Sequence, residues 1–178
     1  MKAMASTTSP DDTAAAPPAI RADSRFLRRR LSHLLALGFG CGLSPVGPGT
    51  VGTLWAWLSF AVASAWLEPR HWAVVLALGF VAGVWACGRT ARDLGVADHG
   101  SIVWDEIVAF WLVLLFVPGG WQAQLWAFVL FRFFDIVKPP PIRHYDAKLK
   151  GGFGVMFDDL LAALYTLFVL ALFSRTMS

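Results

Sequence analysis

The sequence predicts an all-α, polytopic integral membrane helical bundle with about five spans and an N-terminal interfacial helix. Composition is the first observation behind this prediction: of the 178 residues, 57% are hydrophobic and 15% are charged. Soluble domains are about 45–50% apolar and about 25% charged. The second observation is the nine Trp and fourteen Phe residues, since aromatic side chains collect at membrane interfaces as well as in cores. This composition disfavours an ordinary water-soluble globule, and it excludes disorder for most of the chain.

The chain begins with a segment that has little capacity to pack. Residues 1–24 are rich in Ala, Pro, Ser, Thr and Asp and are expected to form a disordered tail, which leaves 25–178 as the folded domain. Four arginines followed by the apolar stretch 31–39 have the order that is typical of a signal peptide. No small-x-small cleavage site follows, and Gly38 occupies the position where a lipoprotein signal ending at Cys41 has an aliphatic residue. The interpretation is an interfacial or partly inserted helix, and whether 31–43 crosses the membrane stays open.

Five longer apolar stretches follow, each at the lower limit of the roughly 17–25 residues that cross a bilayer as a helix. The alternative is a soluble bundle of unusually apolar helices, and the basic residues distinguish the two. With the N-terminus inside, twelve of the fifteen Lys and Arg residues lie in the inside segments 1–49, 89–101 and 138–156, as the positive-inside rule requires. The predicted spans are 50–67, 71–88, 102–117, 121–137 and 157–174.

The acidic residues gather on the same cytoplasmic face, and of the twelve only Glu68 falls outside. Because an ionised Asp costs on the order of 2.5–3.5 kcal/mol at mid-membrane and less near the surface, carboxylates at one depth indicate a shared site. They would repel one another unless a cation lay between them, and carboxylate oxygens with water are the ligands that Mg²⁺ prefers. The four histidines have no zinc-ligand spacing. The acids at the predicted span ends are Asp105, Glu106, Asp135, Asp158 and Asp159.

Each acidic group also has a structural explanation that needs no ligand. Capping is the better explanation for Asp158 alone, but it leaves the neighbouring Asp159 unexplained. The clustering of all these acids on one face is harder to explain without a ligand than the position of any single acid. The structural explanations are an N-cap role for Asp158, first-turn positions for Asp105 and Glu106 in a helix starting at Ser101, and an i,i+3 ion pair between Arg132 and Asp135.

Two further features lie on the same face. The Gly- and Pro-rich run 38–50 fixes an irregular backbone before the first span, and its N–H groups would form an anion site; the alternative is a tight turn. The segment 138–143 supplies two cations to this face, Lys138 and Arg143. Its three prolines predict an extended, stiff backbone. The alternative to a role in the site is that these basic residues are a topology signal or an anionic-lipid contact. Glycines in 151–154 permit a sharp return. Acids, an irregular loop and cations together describe a phosphate site for a lipid.

Four runs of the sequence closely resemble the signature blocks of the phosphatidylglycerophosphatase A family. The resemblance extends in order from residue 38 to about residue 165. It implies a Mg²⁺-dependent bacterial inner-membrane enzyme that hydrolyses phosphatidylglycerophosphate to phosphatidylglycerol and phosphate, a late step toward phosphatidylglycerol and cardiolipin. The predicted topology places the active face in the cytoplasm. The runs are GFGCGLSPVGPGTVGT (38–53), IVWDEIVAFW (102–111), FRFFDIVKPPPI (131–142) and GGFGVMFDDLLA (151–162).

The resemblance falls on the positions that the charge argument selects. Neither one decides which carboxylate is a ligand and which is a general base. The expected catalytic residues are Asp105, Glu106, Asp135 and Asp159, and the expected metal ligands are Asp105, Glu106, Asp158 and Asp159. The residues expected to hold the phosphate and the lipid headgroup are Ser44, Gly49, Thr50, Arg132, Lys138 and Arg143.

Two hypotheses from other classes stay open. Intramembrane acids also line ion paths, which suggests a cation channel or transporter, although the outer halves of the predicted spans are almost wholly apolar. A non-catalytic scaffold that binds an anionic lipid bilayer is the other, and its function would not depend on Mg²⁺. Nucleic acid is not an expected partner, because the net charge is only +3 and no basic stripe alternates with aromatic residues.

Overall fold

The computed structural model describes residues 22–96 and 99–176, without the side chains of 146, 147 and 176. Within these residues the secondary structure is helical and contains no strand, which confirms the predicted all-α class. Most of the expected N-terminal tail, residues 1–21, lies outside the described part. The helices are α1 (Ser24–Arg29), α2 (Leu31–Ala36), α3 (Pro48–Ala63), α4 (Pro69–Leu94), α5 (Trp104–Phe116), α6 (Trp121–Val137), α7 (Ile142–Lys148) and α8 (Gly151–Thr176), with a 3₁₀ segment at Gly38–Leu43.

Helix α5 lies at the centre of the bundle. Most of its 13 residues are buried, and it packs against α3, α4 and α8. Phe110 is fully buried, with its ring centroid 5.5 Å from that of Phe131 on α6. Trp104 opens the helix, and its Nε1 donates a hydrogen bond to the Gly79 carbonyl of α4 at 2.9 Å. These contacts fix the N-terminal turn of α5, and they therefore fix the position of the two acids that follow Trp104.

Helices α4 and α8 approach each other closely at glycines. A Cβ atom on Gly152 would lie 1.9 Å from the Val84 carbonyl oxygen and 2.6 Å from the Gly88 nitrogen, so this position has no room for a side chain. Small residues at helix contacts allow backbones to approach in this way in membrane bundles. The contact holds the first turns of α8 against α4, and these turns lead directly into Asp158 and Asp159.

The outward faces of α3, α4, α6 and α8 are apolar. Representative exposed fractions are 58% for Leu58, 66% for Leu78, 63% for Trp126 and 68% for Phe168. A water-soluble bundle places polar residues on such faces. Among the described helices, α4 and α8 are long and apolar enough to cross a bilayer. The structure is therefore compatible with a membrane protein.

The remaining predicted spans are shorter than a bilayer is thick. Helices α3, α5 and α6 have 16, 13 and 17 residues, which correspond to about 20–26 Å at about 1.5 Å per residue. The hydrocarbon core is about 30 Å thick. Three of the five predicted spans are therefore helices shorter than the hydrocarbon core.

Two local predictions are wrong. Helix α8 begins at Gly151, six residues before the predicted start, because Gly151 makes the return with a φ of +76°. Asp158 therefore lies inside the helix and is not its N-cap. The segment 138–143 is not extended: residues 139–141 form a turn that the Ile142 N–H closes with a 2.8 Å bond to the Pro139 carbonyl. Burial of Ile142 holds this turn against the bundle.

The N-terminal segment is tied to α4 by a polar cluster around a buried histidine. Helix α2 packs on α4, and the 31–43 stretch divides into α2 and the 3₁₀ segment. His33 is 2% exposed and stacks on Phe26 at 3.9 Å. Its Nδ1 lies 2.9 Å from the Phe26 carbonyl oxygen, and its Nε2 lies 2.9 Å from Asp93 Oδ2. No sequence pattern indicates this contact, since His33 and Asp93 are 60 residues apart.

Candidate active site

Three helices bring the predicted acids into one cavity. Helix α5 begins there, α6 ends there, and the second and third turns of α8 pass it. The cavity has a volume of about 160 Å³, and Lys138 also lines it. Taken over the whole residue, each aspartate in the set is no more than 9% exposed. The structure thus brings together all five acids that the sequence analysis selected: Asp105, Glu106, Asp135, Asp158 and Asp159.

Asp105 and Glu106 occupy the first turn of α5. One structural interpretation drawn from the sequence, that of first-turn acids, is therefore correct, although the helix starts at Trp104 instead of Ser101. Acids at a helix N-terminus interact favourably with the helix dipole. This explains how the fold tolerates both carboxylates, and it does not prevent them from binding a ligand.

Arg132 lies among the carboxylates and joins two helices. Its Nη1 donates to Glu106 Oε1 of α5 at 2.8 Å and lies 2.7 Å from Asp135 Oδ2 on its own helix. The three side chains are 11–13% exposed. The i,i+3 pair expected from the sequence is present, and the second partner on α5 is an addition that the sequence did not indicate.

Lys138 forms an ion pair with Asp158 across α6 and α8. The backbone of Lys138 is left-handed, with a φ of +44°, and its N–H caps α6 by bonding to the Phe134 carbonyl. This conformation ends α6 and turns the chain toward the prolines. The ammonium group therefore belongs to the cavity wall rather than to the solvated loop beyond it.

Three carboxylates are arranged so that they could hold a metal ion. Glu106, Asp135 and Asp159 each offer one oxygen, and these oxygens lie within 4.8 Å of one another. Asp159 Oδ2 is buried and accepts no hydrogen bond from the described residues. An all-oxygen donor set of this kind suits Mg²⁺. This set includes Asp135, which the sequence analysis expected to be catalytic, whereas Asp105 and Asp158 line the cavity beside it.

The glycine-rich loop reaches the same carboxylates at Gly49. A Cβ atom on this buried residue would lie 1.9 Å from Glu106 Oε1, so the backbone at the start of α3 touches the acidic cluster. Gly47 has a left-handed backbone (φ +53°), and Pro48 follows as the first residue of α3. The Gly47 conformation and the fixed φ of proline at N1 set the direction in which α3 leaves the loop.

Other predicted phosphate-binding residues are not among those that line the cavity. The cavity lining does not include Ser44, Thr50 or Arg143. The Ser44 hydroxyl donates to the Val46 carbonyl at 2.9 Å within the loop, and Arg143 is exposed on α7. Among the described residues, the lining includes three that the sequence analysis did not select, because no chemical pattern marks them. They are Gly100, Ile102 and Val155.

The charges around the cavity favour binding of a cation. Five carboxylates face two cationic side chains, Arg132 and Lys138. The pocket thus carries an excess of negative charge when its acids are ionised, and unpaired charge in a poorly solvated site is costly. One divalent cation would reduce this excess from three negative charges to one.

Comparison with known proteins identifies the family. The family model for phosphatidylglycerophosphatase A matches residues 34–174. A Haemophilus influenzae protein named phosphatidylglycerophosphatase A is 49% identical over 138 residues, which cover 77% of this chain and 85% of the relative. An Escherichia coli protein of the same name is 46% identical over 142 residues, with coverages of 79% and 82%.

A further relative carries a different name. A Bacteroides thetaiotaomicron protein, provisionally named a phosphatidylinositol-3-phosphatase, is 40% identical over 150 residues, which cover 79% of this chain and 92% of the relative. No solved structure matches the chain at a significant level. The family match contains the glycine-rich loop and every residue that lines the cavity. The chain therefore belongs to the phosphatidylglycerophosphatase A family of phosphoric monoester hydrolases.

Proposed function

We propose that this protein hydrolyses the terminal phosphate monoester of phosphatidylglycerophosphate, releasing phosphatidylglycerol and inorganic phosphate, in a reaction that requires Mg²⁺. The observation that carries the proposal is the convergence of Glu106, Asp135 and Asp159 within 4.8 Å in a buried cavity. The names of relatives that are 46–49% identical supply the substrate. Such a reaction belongs to the biosynthesis of phosphatidylglycerol and cardiolipin.

The proposed roles follow from where each side chain lies. Glu106, Asp135 and Asp159 would hold the cation. Bound there, Mg²⁺ would lower the pKa of water and stabilise charge on the phosphoryl oxygens. Asp105 lines the cavity beside this set, so it is positioned to accept a proton from the attacking water. Lys138, paired with Asp158 at the wall, would direct positive charge at the phosphate as charge develops.

The cavity fits a headgroup rather than a whole lipid. A volume of about 160 Å³ admits a phosphate group and has no room for acyl chains. Apolar side chains cover the outward faces of the surrounding helices, so the acyl chains would stay in the bilayer while the headgroup enters. Gly49 brings the start of α3 to the edge of the carboxylate cluster, where its backbone N–H groups would face an anion.

The proposed topology has five spans in the inner membrane of a bacterium, with the N-terminus and the site on the cytoplasmic side. Chain direction supports it: α5 and α8 begin at the cavity and α6 ends there, as alternating spans require. The excess of Lys and Arg in the inside segments also supports this orientation. The short helix α5 is mostly buried by its neighbours, so it does not need to match the bilayer thickness along its own surface.

The other function classes are not favoured. A cation channel or transporter and a non-catalytic anionic-lipid scaffold both lack support from the family, whose named relatives are enzymes. The candidate site also lies at one end of the helices instead of along a path through them.

A substrate panel tests the proposed reaction. The protein, purified in mild detergent, is given phosphatidylglycerophosphate, phosphatidylinositol 3-phosphate or glycerol 3-phosphate, and released phosphate is measured with Mg²⁺ and with EDTA. We expect release from phosphatidylglycerophosphate in Mg²⁺ alone and much slower release from the other two compounds. Faster hydrolysis of phosphatidylinositol 3-phosphate would overturn the proposed substrate. No release from any of the three by folded protein would overturn the proposed function.

A further inference from the structure

Arg132 occupies a position that does not suit a phosphate-binding residue. Its Nη1 is within 2.8 Å of Glu106 Oε1 and within 2.7 Å of Asp135 Oδ2. Both partners belong to the set of carboxylates that could hold a metal ion. The side chain is 13% exposed, so its partners here are protein carboxylates rather than water. The Nη1 donor is therefore committed to carboxylates that could bind a metal and not to an incoming phosphate.

We infer that Arg132 is a positioning residue of the metal site, which holds Glu106 and Asp135 at the separation that a divalent cation requires. The inference rests on the proposed function for the presence of that cation. It differs from the sequence prediction, which assigned Arg132 to the phosphate. Groups that orient metal ligands in this way typically contribute about 10–100-fold to metal affinity.

The geometry explains why one arginine serves two helices. Glu106 lies on α5 and Asp135 on α6, so neither helix alone fixes the distance between the two carboxylates. Arg132 bonds to both from a single nitrogen atom, and its planar guanidinium allows few orientations. Two carboxylates that lie this close repel each other when nothing is bound. The guanidinium offsets that repulsion and keeps the metal-free site assembled.

Charge and geometry predict different outcomes for a lysine replacement. R132K keeps the positive charge, but its ammonium nitrogen ends one atom short of the position of Nη1 and is not held by a rigid plane, and arginine and lysine are not equivalent at such sites. If Arg132 acts through geometry, R132K disperses the ligands and weakens metal binding. If Arg132 acts only through charge, R132K binds metal as the wild type does. If Arg132 were a direct phosphate ligand, R132K would leave metal binding unchanged, and the wild type would bind phosphate without metal.

The test measures binding of Mn²⁺, a spectroscopic and calorimetric substitute for Mg²⁺, by metal-stripped full-length protein in detergent without substrate. The matched control is R89K, because Arg89 also pairs with a carboxylate on its own helix, at 3.5 Å from Asp93 Oδ2, outside the cavity lining. We expect the Kd for Mn²⁺ to rise about tenfold or more in R132K and to stay at the wild-type value in R89K. A wild-type Kd in folded R132K overturns the inference.

A second measurement needs no variant, so it holds even if R132K fails to fold. Metal-stripped wild-type protein is titrated with inorganic phosphate, followed by the same titration with Mn²⁺ present. Because Arg132 is engaged by two carboxylates, we expect phosphate to bind only in the presence of the metal. Phosphate binding by the metal-stripped protein overturns the inference. Failure of the wild type to bind Mn²⁺ at all contradicts instead the proposed metal-dependent function.

Discussion

Replacing Gly49 with alanine is expected to disable the candidate site while leaving the bundle folded. Gly49 lies in the first turn of α3, and its φ is not positive, so alanine can adopt the same backbone conformation. The backbone therefore accepts the substitution. The new methyl group does not fit, because it would lie 1.9 Å from Glu106 Oε1 and 2.6 Å from Glu106 Cδ.

The size of the effect follows from these distances. Ordinary van der Waals contact begins near 3.4 Å, so the Glu106 carboxylate must retreat by about 1.5 Å to admit the methyl group. The retreat pulls Oε1 from Arg132 Nη1, now 2.8 Å away, and moves a proposed metal ligand. A misplacement of about 1 Å in an active site can cost about 100-fold in rate, while overpacking costs about 1–3 kcal/mol of stability.

The assay compares phosphate release and thermal unfolding for three alanine variants in detergent. G52A is the intermediate case, because its Cβ would lie 3.0 Å from Val103 Cβ and 3.4 Å from Glu106 Oε2. G120A is the control, since nothing lies within 4 Å of its Cβ. Activity should fall in the order G120A, G52A, G49A, with G120A equal to the wild type. A folded G49A with wild-type activity would refute the argument that the loop backbone positions Glu106.

Three other variants test separate parts of the structure. D159N removes a proposed metal ligand, so it should abolish turnover. It also removes one of several like charges, so it should raise the melting temperature of the metal-free protein. Near-normal turnover in D159N contradicts the role of Asp159 as a metal ligand. H33F keeps the stack on Phe26 but loses the contacts with the Phe26 carbonyl and Asp93, which should cost about 1–3 kcal/mol in unfolding free energy without changing the activity of folded protein; unchanged stability contradicts the cluster. L78D places a charge on a side chain that is 66% exposed, which should cost about 2.5–3.5 kcal/mol near mid-membrane and deplete the membrane fraction, whereas a soluble bundle would tolerate it.

The grouping of the acids was predictable because hydropathy locates the helices. Helix α6 has the bounds that its apolar stretch predicted, Trp121–Val137. Once the spans alternate in direction, the start of α5 and the end of α6 must lie on one face. Their acids meet for that reason, and no knowledge of side-chain contacts is needed.

The features that were missed depend on contacts between distant segments. Gly151–Met156 has the composition of a loop, yet it is helical, and Gly152 fits tightly against Val84 and Gly88 of α4. The pair of Arg132 with Asp135 has a recognisable i,i+3 spacing, whereas its bond to Glu106 spans 26 residues and two helices. Spacing rules describe neighbours on one helix, so contacts of this second kind require the assembled bundle.

Phosphate release from phosphatidylglycerophosphate by metal-stripped protein, before and after addition of Mg²⁺, tests the candidate site most directly. The carboxylates of Glu106, Asp135 and Asp159 lie close enough to share one cation, and the reaction is proposed to depend on it. We therefore expect no release in EDTA, full activity when Mg²⁺ is restored, and no restoration in D159N. Equal release with and without Mg²⁺ would contradict the proposal that these carboxylates hold a catalytic metal.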